Sequence, residues 1–289
     1  MGETGEPQSL PKRQLGQYLR EAREEQGMSL ATAAEHINRS APTLLRIEKG
    51  ITKKLQPLEI EALCRLYEFD EEKTEAMKGL AMQANTKNWW HEYEDAVRAS
   101  FVMYLGLEAA AQEIATYQPD LIPGLLQTPD YARALMRSAF PLEATEEIER
   151  RVQLKMRRQH LITRKVNPIT FRVIIHEGAI RRVVGGGRVM APQLYHVADM
   201  STHPNITVQV LPFTAGIPLG DSVGSFIILR FGEDARTVVY AETLAGDLYI
   251  EKPVSLRRYA GAYEAIERAT LDEASSRSLL RRAAKEHLR

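Results

Sequence analysis

The chain has 289 residues, 44% of them hydrophobic and 26% charged, which suits a folded protein of about two domains and excludes global disorder. Lysine plus arginine and aspartate plus glutamate both number 38, so no polybasic coat exists and any nucleic-acid site has to be a local basic patch. The single cysteine, Cys64, excludes an intrachain disulfide and a cysteine-built zinc site, and no apolar run approaches the roughly 18 residues of a membrane helix.

Residues 1–10 are small and polar and read as a disordered leader. Residues 1–14 have no apolar stretch of the signal-peptide kind, and Glu6 breaks the myristoylation pattern that Gly2 would begin. The expected location is therefore the cytoplasm. Residues 11–85 read as an all-α domain of five helices, punctuated at Gly27, Ser40, Gly50 and Pro57. Residues 1–75 of the chain carry a charge of −3 and residues 76–289 carry +3, a difference too small to name a partner.

A boundary is expected between Asn85 and Trp90, and residues 86–289 read as a larger α+β domain. Helix continues to about Ala111 and gives way to the turn-rich QPDLIPGLLQ. Thr128 before Pro129 and Asp130 is a helix start, and Thr145 before Glu146 and Glu147 follows the same logic. From Ile169 the text turns to strands: ITFRVIIH, ITVQVLPF, VGSFIILRF and RTVVYAET, with a fifth short one at Asp247–Ile250. Helical patterns lie near Glu177–Val183 and Ala191–Ser201, and helix returns from Val254 with a new start at Asp272. The fold class is α+β overall, with a small sheet of four to five strands in the second domain.

The most informative text is residues 15–50. Leu15, Leu19 and Ala22 form one apolar stripe at i, i+4 and i+7, and Gly27 suits the left-handed stop of that helix. Ser29 caps a short second helix whose Ala33, Ala34 and Ile37 face inward. After a tight turn at Asn38 and Arg39, Ser40 caps a third helix with Pro42 in its first turn, Leu44 and Ile47 inward and Gly50 at its end. Two short helices joined by a tight turn and braced by a first helix make a helix-turn-helix. Residues 39–54 hold Arg39, Arg46, Lys49, Lys53 and Lys54 against only Glu48, a local positive segment.

These spacings, Leu19-Arg20, Arg23, Gly27-Met28-Ser29, Ser40 and Ile47-Glu48-Lys49-Gly50, resemble the xenobiotic-response-element (lambda-repressor-like) helix-turn-helix family over about residues 12–80. The resemblance implies double-stranded DNA as a partner, with Ala41, Pro42, Thr43 and Arg46 at base edges and Ser29, Leu30, Lys49, Lys53 and Lys54 at phosphates. Leu30 departs from the glutamine or glutamate common in relatives, and Ala41 and Pro42 have no side-chain donors, so Arg46 is the expected guanine reader and Thr43 a lesser one. The alternative for Arg46 is a scaffold pair with Glu48 or Glu35.

The remainder, from Trp89 to Ala283, resembles the C-terminal domain of actinobacterial antitoxin-like transcriptional regulators. The resemblance rests on WWHEY at 89–93, TYQPDLIPGLLQTPDYARALM at 116–136, QVLPFTAGIP at 209–218 and VYAETL at 239–244. It implies a regulator that acts with a small partner protein encoded nearby and carries over no catalytic residue. The residues themselves agree: the seven histidines form no metal spacing, His176-Glu177 reads as a strand-end cap, Gly185-Gly186-Gly187 as a flexible loop, and Asp221-Ser222 has no nucleophile elbow. Residues 150–165 carry seven arginines and lysines and no acid, either a solvated helix face or a surface for an acidic partner or DNA flanks. Trp89, Trp90, Tyr93 and Phe101 are expected to pack a seam between domains, with a ligand pocket as the alternative.

The sequence thus points to a homodimeric DNA-binding transcriptional regulator, with no enzyme activity, cofactor, metal or membrane expected. Its second domain is expected to sense a small partner protein or a ligand whose site is unknown. The alternative is an antitoxin-like interaction protein that sequesters a small partner, with DNA binding secondary.

Overall fold

The computed structural model describes residues 10–52, 55–71, 99–232, 237–243 and 246–289, together with residues 73, 74, 77, 78, 81 and 93. Two compact units are present: Met1–Glu94 with Phe101–Gly106, and Asp95–Ser100 with Leu107–Arg289.

The first unit holds α1 (Leu10–Glu25), α2 (Leu30–His36), α3 (Ala41–Glu48) and α4 (Pro57–Leu66). A fifth helix is expected before residue 85; between residues 72 and 98 only 73, 74, 77, 78, 81 and 93 are described. Leu15, Leu19 and Ala22 of α1 are buried with Ala33, Ala34, Ile37, Leu44, Ile47, Ile60 and Leu63 in one core. Each large side chain of this set contributes about 1.5–3 kcal/mol of transfer free energy. The stops are those the sequence announces: Gly27 and Asn38 lie at φ 65° and 53°, and Gly50 at 70°. Gly16 is needed for close approach, because a Cβ there would stand 2.4 Å from the Ile47 carbonyl oxygen and 2.5 Å from that of Glu48. The backbone of α1 therefore rests directly on the C-terminal turn of α3.

The second unit contains α5 (Ala99–Ala110) from Leu107 onward, then β1 (Glu113–Gln118), α6 (Pro129–Ala139), α7 (Thr145–Arg158), α8 (His160–Thr163) and β2 (Thr170–His176). It continues through α9 (Glu177–Arg181), α10 (Gly187–Met200), β3 (Ile206–Leu211), β4 (Phe226–Arg230), β5 (Val238–Thr243), β6 (Gly246–Ile250), α11 (Pro253–Glu267) and α12 (Glu273–His287). The six strands form one mixed sheet in the order β3-β2-β1-β4-β5-β6. β1, β2 and β3 run parallel, and β4, β5 and β6 add antiparallel beyond β1. Ala115, Tyr117, Ile174, Leu211, Phe226, Ile228 and Val239 on one face pack against Tyr263 and Ile266 of α11. The β3 edge is covered: Leu271 N–H donates to the Val210 carbonyl and Ser276 Oγ accepts from Val210 N–H, both at 2.9 Å, which removes an open edge.

The α+β class stands, but the sheet has six strands where four to five are expected from sequence. The missed one is β1, which lies in the middle of the sheet. EIATYQ follows a run of alanines and is buried through its four central residues, so it shows neither alternation nor length, only its β-branched and aromatic letters. Two local expectations also change. Ala144, not Thr145, is the N-cap of α7 and makes no side-chain cap bond. Two of the three glycines serve packing: a Cβ on Gly185 would meet that of Ala134 at 2.8 Å, and one on Gly187 would meet the His287 carbonyl oxygen at 1.9 Å, while Gly186 has open space around it and a φ of 88°.

The loop between β1 and α6 is held by amides. Gln127 Nε2 donates to the Ile122 carbonyl, Gln193 Nε2 to Leu126 and Gln159 Nε2 to Gln127, at 2.6–2.7 Å. Gln193 Oε1 accepts from Thr128 N–H at 2.6 Å. A buried loop needs such partners for its backbone.

Candidate nucleic-acid interface

α2 and α3 are connected by a turn closed by Arg39 N–H donating to the Ala34 carbonyl at 2.9 Å. Leu44 and Ile47 face the core, which leaves Pro42, Arg46 and Lys49 exposed at i, i+4 and i+7. Of the predicted base-edge residues, Ala41 and Thr43 are half-buried at the start of α3, and Thr43 Oγ1 bonds Ser40 Oγ at 2.9 Å. Arg46 pairs with neither Glu48 nor Glu35; its Nε donates to the Pro42 carbonyl at 3.3 Å, so its guanidinium stays on the exposed stripe.

Glu48, the one acid of this segment, is buried and bound by Arg23 of α1 at 2.6 and 3.0 Å, while Arg23 also donates to the Met28 carbonyl at 2.8 Å. That bond to Glu48 raises the Arg23 pKa. Burial, and next the Glu48 carboxylate, push the Tyr67 phenol up. The pair turns the negative charge inward and leaves cations outside. Arg39 is committed elsewhere, to Glu59 of α4 at 2.6 Å. Arg46 and Lys49 therefore carry the positive face among the described residues; Lys53 and Lys54 lie outside them.

At the start of α2, Ser29 Oγ accepts from Thr32 N–H at 3.1 Å and bonds Thr32 Oγ1 at 2.8 Å. The Leu30 side chain packs on the core, so only its backbone N–H, in the first turn of a helix, is available to a phosphate. Ser40 stands at the N-cap of α3 but makes no side-chain cap bond.

In the second unit the strand-end pair acts as the sequence suggests. His176 Nδ1 accepts from Gly178 N–H at 3.0 Å, and Glu177 accepts from Phe213 N–H at 3.0 Å and from Arg181. Of the basic stretch, Arg150, Arg151, Lys155 and Arg158 are held within the fold, while Arg157 and Lys165 are exposed. Arg158 is buried and bound twice by the buried Glu108 at 2.7 Å, Arg151 is held by Glu143 and Arg150 by Glu147. Lys155 Nζ donates to Gln127 Oε1 at 3.2 Å, and burial, with Arg158 beside it, brings its pKa down to about 8. Sequence reasoning missed Glu108 because its partner stands 50 residues away. Trp89 and Trp90 lie outside the described residues.

A compact helix-turn-helix with an exposed basic stripe, followed by a mixed-sheet α+β unit, defines the class: a helix-turn-helix protein with an appended second domain. Residues 14–77 match the family model of a helix-turn-helix domain. Residues 101–282 match a domain of unknown function, DUF5753, and the chain belongs to that family. No curated protein and no solved structure matches the chain. No helix among the described residues is long and apolar enough to cross a membrane.

Proposed function

We propose that the protein is a sequence-specific DNA-binding transcriptional regulator of the xenobiotic-response-element type. In this reading it acts as a homodimer on paired half-sites, and its antitoxin-like second domain senses a small partner protein or ligand. The observation that carries it is the α3 stripe of Pro42, Arg46 and Lys49, exposed while the one neighbouring acid, Glu48, is buried on Arg23. A single helix of this size reads few base pairs, so dimerisation supplies useful affinity. The reading assigns no catalytic step to either domain.

The test is fluorescence anisotropy on DNA from the protein's own upstream region over a salt series. About four to six phosphate contacts per dimer give a slope of log K against log salt near −4 to −5. Arg46→Ala is expected to cost roughly 1–3 kcal/mol and to relax preference at one base pair per half-site, while Lys49→Ala weakens all sequences alike. Unchanged affinity and specificity in Arg46→Ala removes the reader assignment. Failure to bind either upstream or selected random DNA removes the regulator reading.

A further inference from the structure

A cleft of about 500 Å³ opens at the carboxyl ends of the three parallel strands. It is lined by Tyr117 from the end of β1, His176 from β2 and Leu211 from β3, and by Phe213, Ile217 and Val223 from the connection between β3 and β4. The volume lies in the range of small-molecule sites, and the place is the one where open sheets with parallel strands bind ligands.

The chemistry of the lining is specific. His176 Nδ1 is already accepting from Gly178 N–H, so in the neutral ring the proton sits on Nε2. Burial lowers the pKa of His176, which keeps the ring neutral at neutral pH. Among the described residues neither His176 Nε2 nor the Tyr117 hydroxyl has a protein hydrogen-bond partner, so both are available to a ligand. The Phe213 ring stands edge-to-face on His176 with centroids 5.1 Å apart. Phe213 and Ile217 are 56% and 68% exposed, an apolar lip facing water beside an apolar cavity. Two charges at the rim cancel, because Arg182 binds Asp120 at 2.8 Å. Asp221 remains, its carboxylate accepting from Ser222 N–H at 2.7 Å, so among the described residues the charged lining of Asp120, Arg182 and Asp221 sums to one negative charge, which disfavours anions.

We propose that this cleft binds a small, uncharged, ring-containing molecule that offers a hydrogen-bond acceptor to His176 Nε2, and that it is the effector site of the second domain. Only the word effector rests on the sensing role proposed above; the binding site stands on its own geometry.

The test uses the full chain without DNA. Nile red, a neutral planar dye with a carbonyl acceptor, is titrated near neutral pH and then displaced by naphthalene-2-carboxamide or by naphthalene-2-carboxylate. The expected result is one saturable site per chain, displaced by the carboxamide at a concentration about tenfold lower than by the carboxylate. Ile217→Asp and Phe213→Ser, both at exposed positions, are each expected to weaken the dye about tenfold with unchanged thermal unfolding. The proposal is overturned if the dye does not saturate, if both variants bind as the parent does, or if the carboxylate competes as well as the carboxamide. Repeating the DNA titration with bound carboxamide separates the two readings. Saturable binding that leaves operator affinity unchanged removes the sensing role and keeps the site.

Discussion

Among the described residues each domain buries one arginine–glutamate pair, but at different kinds of joint. In the first, Arg23 and Glu48 are 25 residues apart and tie α1 to the last turn of the helix that carries the exposed basic stripe. In the second, Glu108 and Arg158 are 50 residues apart and tie the helix leading into the central strand to the end of α7. The first pair shapes a surface, since it hides the acid that would otherwise sit among the cations. The second lies beside the loop that leads from β1 to α6, with Arg158 against Gly124, and so shapes an interior. A helix-turn-helix displays its function on one face of one short segment. The second domain assembles its cleft from the ends of three strands drawn from far apart in the chain.

Breaking the two pairs is the largest test of that contrast. Glu48→Ala leaves Arg23 buried without its carboxylate, and Glu108→Ala does the same to Arg158; each is expected to cost about 3–5 kcal/mol. Calorimetry of the full chain is expected to show Glu48→Ala lowering the transition of the first domain and Glu108→Ala that of the second. A single substitution that lowers both transitions equally would mean that the two cores do not unfold separately.

The contrast also explains what was legible in the sequence. The stripe of Leu15, Leu19 and Ala22, the stop at Gly27 and the inward pair of Leu44 and Ile47 are all set by contacts within one or two turns, where helical periodicity speaks directly. β2 to β6 could be read from their β-branched runs, but β1 could not. A central strand buried on both faces shows no alternation, and its six residues follow a helix without a glycine or proline between them. The cleft was out of reach for the same reason. His176 could be seen as a strand-end cap, but nothing local announces that Tyr117, Leu211 and Phe213 meet it. The basic run at 150–165 left two readings open in sequence, because two of the acids that pair with it, Glu108 and Glu143, lie outside the run.

Lys155 sharpens the contrast by pH. Burial and the nearby Arg158 bring its pKa to about 8 from 10.5, opposed by Glu242 and Glu108. Between those two values the unfolded chain binds more protons than the folded one, so the stability of the second domain rises with pH across that window. Lys155→Met is expected to abolish the rise. The first domain behaves oppositely: burial pushes the Cys64 thiol from 9.0 up to about 11, so stability held below pH 9 is lost as pH climbs toward 11. Denaturant unfolding of the parent and Lys155→Met over this range checks both signs, and a Lys155→Met curve that still rises would place the titration on another group.

The smallest effect tests the surface of the first domain. Ser29 and Ser40 stand before consecutive helices and look equivalent in sequence, yet only Ser29 accepts from a backbone N–H, that of Thr32. Ser29→Ala is therefore expected to cost about 1 kcal/mol, within the usual range for a lost cap. Among the described residues Ser40 Oγ bonds only the Thr43 hydroxyl, both groups being accessible to water, which can replace either partner. Ser40→Ala is expected to cost a few tenths of a kcal/mol. In a double-mutant cycle with Thr43→Val the coupling is expected to be no larger than that. If Ser40→Ala instead matched Ser29→Ala, the Ser40 hydroxyl would be capping α3 in solution. Thr43 would then be free to turn outward, and in the proposed DNA-binding reading it would join Arg46 as a second polar reader.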